Sequence, residues 1–241
     1  MLLGLWEFHL LAKRRNINAD RGAMFLGGAA LFVVFLSPTS GSALDLLLIQ
    51  LILIVFIIGT LSTAALRGVS FETMLPATAA TVLGVLYVVF LGGHLVGIRM
   101  GFPERLSTHL LSFFFLVLMG ADTGAYYVGR AFGKHKLAPK ISPGKTWEGV
   151  IGGVVAALLF ATLSHFWFFT ELPLKWSLVL ATVMAVLGIL GDLTESALKR
   201  GAGAKDAANL LPGHGGILDR LDSLLFNAPV IYYFARFYFD R

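Results

Sequence analysis

Seven stretches of the chain run apolar for long enough, or nearly long enough, to cross a membrane, and polar residues collect in the gaps between them. A hydrocarbon core roughly 30 Å thick needs about 20 such residues in a helix. The stretches fall near residues 22–37, 44–66, 77–98, 107–129, 149–169, 175–193 and 223–239. The first is short and the last contains Asn227, Pro229 and Arg236, so the pattern predicts about seven transmembrane helices, with six to eight as the range. Segment 1–21 sets apolar residues at helical spacing beside Trp6, Lys13, Arg14 and Arg15, which predicts an amphipathic helix in the membrane interface. It has neither the long apolar run nor the small-residue cleavage site of a secretory signal peptide.

Composition strengthens this reading. Hydrophobic residues make up 57% of the 241 positions and charged residues 14%, against roughly 45–50% and about 25% in an average soluble domain. Mean hydropathy is +0.80. The expected fold class is all-α, a polytopic integral membrane protein with an amphipathic N-terminal helix. Cysteine is absent, which excludes disulfides, thiolate metal ligands and thiol nucleophiles, so any chemistry falls to carboxylates, bases and hydroxyls. The net charge of +5 points to an anionic lipid or substrate.

Orientation follows from the basic residues. Fourteen of the 19 lysines and arginines lie in loops on the amino-terminal side, while Arg99, Arg105, Lys175, Arg236 and Arg241 lie on the other. The positive-inside rule then puts the amino terminus in the cytoplasm. Two spans separate loops 130–148 and 194–222, so both open on that same side and can face one another.

The second of these loops begins at a helix end, GDLTESALKR, over residues 191–200. Asp192, Glu195, Ser196 and Lys199 are spaced i, i+3, i+4 and i+7 and share one helical face. Carboxylates at the edge of a membrane helix are costly unless paired, hydrated or bound to a cation. A salt-bridged interfacial cap is the plainer reading of the same residues. After Arg200 come a glycine-rich bend, Lys205-Asp206, the run Pro212-Gly213-His214-Gly215-Gly216, and then Asp219-Arg220-Leu221-Asp222 at the start of the last apolar stretch. Glycines let backbone amides approach phosphate oxygens, and lysines and arginines neutralise them. Aspartates beside such a nest suit a hard divalent cation such as Mg²⁺, which takes oxygen ligands and shares substrate phosphates. The chemistry inferred is that of a metal-bound polyphosphate. Asp219 is favoured as a metal ligand, whereas Asp222 reads equally well as a helix cap. His214 reads as a base, a phosphate donor or a turn residue.

A second polar cluster runs from Met119 to Gly149. Asp122 lies inside the fourth span, about two turns before Arg130, and an intramembrane carboxylate is a functional candidate by default. The alternative is a helix-packing hydrogen bond to Thr123 or a neighbouring helix. Gly144-Lys145-Thr146 imitates the end of a phosphate-binding Walker loop, but Pro139 stands where its first glycine belongs and no strand is expected before it. Gly27-Gly28 and Gly152-Gly153 fall in apolar helices, where small residues serve close packing. No HExxH or GxSxG motif occurs, which leaves hydrolase readings through them unsupported.

The pattern Ser196-x-Leu198-Lys199-Arg200-x4-Lys205-Asp206-x-Ala208-x2-Leu211-Pro212-x-His214-Gly215-Gly216-Ile217-x-Asp219-Arg220-Leu221-Asp222 resembles the signature of the phosphatidate cytidylyltransferases, also called CDP-diacylglycerol synthases. Gly4-Leu5-Trp6-Glu7-Phe8 looks like that family's early segment and Asp122 to Gly149 like its second polar block. Bacterial members usually carry one or two further apolar spans ahead of the early segment, and three residues precede it here, as in a shortened member or a truncated chain. The resemblance implies transfer from CTP to phosphatidic acid, giving CDP-diacylglycerol and pyrophosphate. It implies an interfacial and early membrane part over 1–106 and a catalytic membrane domain over 107–241.

The site residues implied are Asp192 and Asp219 as Mg²⁺ ligands, with a second cation such as K⁺ beside them, and Lys199 and Lys205 as catalytic cations. Ser196, Arg200, Arg220, His214, Gly215, Gly216, Asp122, Arg130 and Lys145 are the expected substrate-binding set. The partners implied are CTP, phosphatidic acid, membrane lipids and a second copy in a homodimer, with no nucleic acid. The expected location is the bacterial inner membrane with the site facing the cytoplasm. Two other readings remain in view: another CTP-dependent lipid enzyme, of the CDP-archaeol synthase or polyprenol kinase type, and a secondary transporter of an anionic solute. No convincing internal repeat supports the transporter.

Overall fold

The structure is a computed structural model and describes residues 1–37, 42–67, 70–204 and 215–240. Its helices are α1 (Leu2–Lys13), α2 (Arg21–Phe35), α3 (Ala43–Leu66), α4 (Phe71–Gly84), α5 (Leu91–Gly101), α6 (Glu104–Phe132), α7 (Trp147–Trp167), α8 (Leu174–Gly201) and α9 (Leu218–Phe239), with a π-helical turn, Val85–Phe90, joining α4 to α5. Among the described residues five helical segments are long and apolar enough to cross a membrane: Ala43–Leu66, Phe71–Gly101, Glu104–Phe132, Trp147–Trp167 and Leu174–Gly201. The protein is thus an all-α polytopic integral membrane protein. The two remaining expected spans also form helices. However, α2 has 15 residues, and at about 1.5 Å per residue it falls short of the core thickness. Helix α9 carries Asp219, Arg220 and Asp222 in its opening turns.

Two features depart from the hydropathy pattern. Helices α6 and α8 run past the apolar stretches to Phe132 and Gly201, because Ala, Leu, Glu, Lys and Arg continue a helix whether or not they suit lipid. Loop 130–148 folds into an antiparallel hairpin, β1 (Lys136–Ala138) with β2 (Ser142–Thr146), pairing Lys136 with Thr146 and Ala138 with Ser142. Thr146 ends β2 and also caps α7, its hydroxyl accepting the Gly149 N–H at 3.1 Å. Glu148, one residue into that helix, accepts the backbone N–H of Lys134 at 3.1 Å and sits 2.6 Å from His135 Nδ1. The strands are therefore anchored to α7 at one end.

The chain divides into two compact units, one of residues 1–101 with 198–221 and one of residues 102–197 with 222–241. In the first, α1 forms as expected and buries Leu5, Phe8 and Leu11 with Met24, Leu31, Val85 and Val88. In the second, Phe113, Phe114, Val117 and Leu118 of α6 are buried with Ala157 and Ala161 of α7 and Met184 of α8. The seam between α6 and α7 depends on small residues, as the sequence implied for Gly152. A Cβ on Gly124 would stand 2.4 Å from Ala156 Cβ and 2.8 Å from the Gly152 carbonyl oxygen, and one on Gly152 would meet Val128 at 2.4 Å. A Cβ on Gly27 would likewise stand 2.5 Å from the Phe56 ring. Such contacts let helices approach without a hydrophobic driving force from water.

Gly124→Ala is expected to lower the unfolding midpoint in detergent, followed by tryptophan fluorescence, at an overpacking cost of about 1–3 kcal/mol. Gly59→Ala, where an added Cβ meets nothing within 4 Å inside α3, is expected not to lower it.

Candidate functional site

Within the second unit a cavity of about 530 Å³ opens at the ends of α6, α7 and α8 beside the hairpin. Helix α6 presents Asp122, Tyr126 and Arg130 to it, spaced so that one helical face carries all three. Arg130 Nη1 donates to the Tyr126 hydroxyl at 3.1 Å, and both residues line the cavity. The hairpin contributes Lys145 and α8 contributes Asp192, and Lys145 Nζ lies 2.6 Å from Asp192 Oδ2. Asp192 Oδ1 accepts the Ser196 hydroxyl one turn along at 3.3 Å. Gly188 and Gly191 let α9 come close to α8, since a Cβ on Gly191 would be 2.5 Å from the Asp222 carbonyl oxygen. That approach brings Asp222 within electrostatic reach of Asp122, Asp192 and Lys145.

Four expected site residues, Asp122, Arg130, Lys145 and Asp192, therefore line one cavity. Thr123 does not bond Asp122; its hydroxyl donates to the Met119 carbonyl at 2.7 Å. The cavity thus sets two carboxylates, Asp122 and Asp192, beside two cations, Lys145 and Arg130. Among the described residues no group of three or more His, Asp or Glu is arranged to chelate a metal. Mg²⁺ does not require one, because it is commonly held by one or two carboxylates together with substrate phosphates and water. The oxygen-only donors present fit that mode.

The first unit contains the described signature residues between Leu198 and Leu221, at the end of α8 and the start of α9. Lys199 Nζ lies 2.5 Å from Asp219 Oδ1, and both side chains are largely buried, at 13% and 11% exposure. Asp219 Oδ2 accepts the Gly216 N–H at 2.7 Å. Gly215 adopts φ 76°, the left-handed region that glycine reaches without strain. Arg200 Nη1 donates to the Ala204 carbonyl at 3.2 Å, and Arg220 is exposed. Asp222 does not act as the cap of α9. Its Oδ1 accepts the Ser223 N–H at 2.6 Å, while the leading amides of the helix are taken by other acids. Lys205, Asp206 and His214 lie outside the described residues.

One residue escaped the reading of the sequence as a site member. Glu7 of α1 is fully buried, and its carboxylate accepts the backbone N–H groups of Ile217 at 2.8 Å and Leu218 at 2.6 Å. An acid on an amphipathic helix that runs into Lys13-Arg14-Arg15 reads as solvated, and its partners lie 210 and 211 positions away.

The sequence model of the cytidylyltransferase family matches residues 1–238. The chain is 49% identical over 134 residues to a protein named phosphatidate cytidylyltransferase from Haemophilus influenzae, covering 54% of this chain and 46% of that protein. It is 50% identical over 118 residues to the phosphatidate cytidylyltransferase of Bacillus subtilis, covering 49% and 44%. Against that of Pseudomonas aeruginosa it is 50% identical over 126 residues, covering 52% and 46%. The chain thus spans about half the length of the curated relatives it matches.

The two ion pairs differ in burial, and their removal should differ accordingly. Lys199→Ala removes the ammonium partner of a nearly buried carboxylate and is expected to cost about 3–5 kcal/mol in chemical denaturation. Lys145→Ala faces an Asp192 side chain that is 41% exposed, and is expected to cost about 1 kcal/mol or less.

Proposed function

The chain belongs to the cytidylyltransferase family, and from that premise we propose that it is a phosphatidate cytidylyltransferase, converting CTP and phosphatidic acid to CDP-diacylglycerol and pyrophosphate. The observation that carries the proposal is the cavity where Arg130 and Lys145 meet Asp122 and Asp192 at the ends of membrane helices. A lipid phosphate can be presented there while its acyl chains stay in the bilayer, and the product never has to leave it.

In the proposed reaction a phosphatidate oxygen attacks the α-phosphorus of CTP, the new P–O bond forms, and the bond to the β-phosphate breaks with release of pyrophosphate. The nucleophile is already an anion, so the protein has to supply position and charge neutralisation more than proton transfer. Lys145 and Arg130 hold a phosphate-bearing headgroup or nucleotide over the cavity. Lys199, Arg200, Lys205 and Arg220 bind the triphosphate and neutralise the departing pyrophosphate. Asp192 and Asp219 are the proposed carboxylate ligands of Mg²⁺, on the strength of the signature, with a second cation such as K⁺ beside it. When bound, Mg²⁺ supplies the positive charge that offsets the phosphate oxygens. Ser196, His214, Gly215 and Gly216 complete the proposed binding surface. The protein is further proposed to act as a homodimer in a bacterial inner membrane with the site toward the cytoplasm.

Purified protein in detergent, given phosphatidic acid, Mg²⁺ and CTP, is expected to release pyrophosphate, and to release none when CTP is replaced by ATP or the lipid is omitted. Asp192→Asn and Asp219→Asn are each expected to reduce the rate by about a hundredfold or more, the scale on which losing a group that stabilises transition-state charge is felt. Unchanged turnover in either variant contradicts its assignment as a ligand.

A further inference from the structure

Helix α9 receives no cap from the residue ahead of it, and its own first-turn acid, Asp219, accepts the N–H of Gly216. The residue ahead of Leu218 is Ile217, whose side chain offers no acceptor, and Gly216 before it offers none either. A helix start leaves its leading N–H groups unpaired, and serine, threonine, asparagine or aspartate normally answers them from the adjoining position. Here the answer comes from α1, where Glu7 accepts the N–H groups of both Ile217 and Leu218. A fully buried carboxylate is costly unless its oxygens are satisfied, and two amides at the positive end of a helix satisfy them. The fit is close on both sides, since a Cβ on Gly216 would stand 2.7 Å from Glu7 Oε2.

Two residues past the end of the same helix, Arg15 donates through Nε to the carbonyl of Gly201, the last residue of α8. One short segment thus holds the end of α8 and the beginning of α9 within the first unit. Those two ends carry Lys199 and Asp219, which meet at 2.5 Å. We propose that Glu7 is a positioning residue: with Arg15 it makes α1 a strap that sets the place of Asp219 and Lys199 for the reaction proposed above, on which this inference rests. Simple stabilisation of α9 does not account for the arrangement, because an asparagine or serine at position 217 would cap the helix without burying a charge.

The test uses the full chain in detergent with Glu7→Gln, which keeps the shape and one acceptor oxygen, and Glu7→Ala beside it. Hydrogen exchange reports the contact independently of activity. Peptides covering residues 215–222 are expected to exchange about tenfold faster in Glu7→Gln than in the parent, because a buried N–H loses its charged acceptor, while peptides covering 224–238 stay unchanged. In the pyrophosphate assay the same variant is expected to show a kcat about tenfold lower and a raised Mg²⁺ concentration for half-maximal rate, with the KM for phosphatidate unchanged. Glu7→Asp is expected to recover part of the kcat. Unaltered exchange at 215–222 overturns the strap. Faster exchange with kcat and Mg²⁺ dependence unchanged overturns its positioning role. If the parent protein releases no pyrophosphate while exchange responds as expected, the strap stands and the assigned reaction falls.

Discussion

Charge carried into an apolar helical bundle has to be neutralised where it sits, and the polar architecture of this protein follows from that constraint. An unpaired carboxylate at the edge of a membrane helix costs several kcal/mol by most measures. Asp192 is met by Lys145, Asp219 by Lys199 and the Gly216 amide, and Glu7 by two amides at the start of α9. Each pairing requires a particular piece of backbone. The hairpin delivers Lys145, the extension of α8 beyond its apolar stretch delivers Lys199, and the glycines at 215 and 216 let the chain turn and pass close to the acids.

In the proposed reaction the same pairings would hold cations ready for phosphate. A lysine resting on a carboxylate is a cation already desolvated and oriented, and it can turn to an incoming phosphate when another positive charge takes its place on the acid. The oxygen-only ligand set, the absence of cysteine and the glycine-rich turn all suit a nucleotide bound with a hard cation. Close packing of α6 on α7 through Gly124, Gly149 and Gly152 keeps the cavity walls in register. In the proposed reaction the membrane helices would serve mainly as a frame for the charged groups at their ends.

Much of this was legible in the residues. Long apolar runs marked the helices, Asp122 and Asp192 stood out as carboxylates in or at the edge of such runs, and Arg130 and Lys145 as bases of the polar loop beside them. The structure gathers those four around one cavity. Helix ends were misjudged by up to eight residues at α8, because hydropathy stops at the first charge while helix propensity does not. The hairpin was missed because its strands have three and five residues and include Pro143 and Gly144, too short for a period-two signal. Glu7 stands out in the sequence only as part of a family-like segment. Nothing local distinguishes it from a solvated acid, since its partners come from the far end of the chain.

The central claim is that a cytidylyl group, and not a terminal phosphate, passes from CTP to the lipid. The most direct measurement is the partition of label into the organic phase when purified protein is incubated with phosphatidic acid and CTP carrying ³²P at either the α or the γ position. The account predicts lipid-soluble label from α-labelled CTP alone, with the γ label recovered as pyrophosphate in water. Lipid-soluble label from γ-labelled CTP would identify a kinase-type phosphoryl transfer and contradict it.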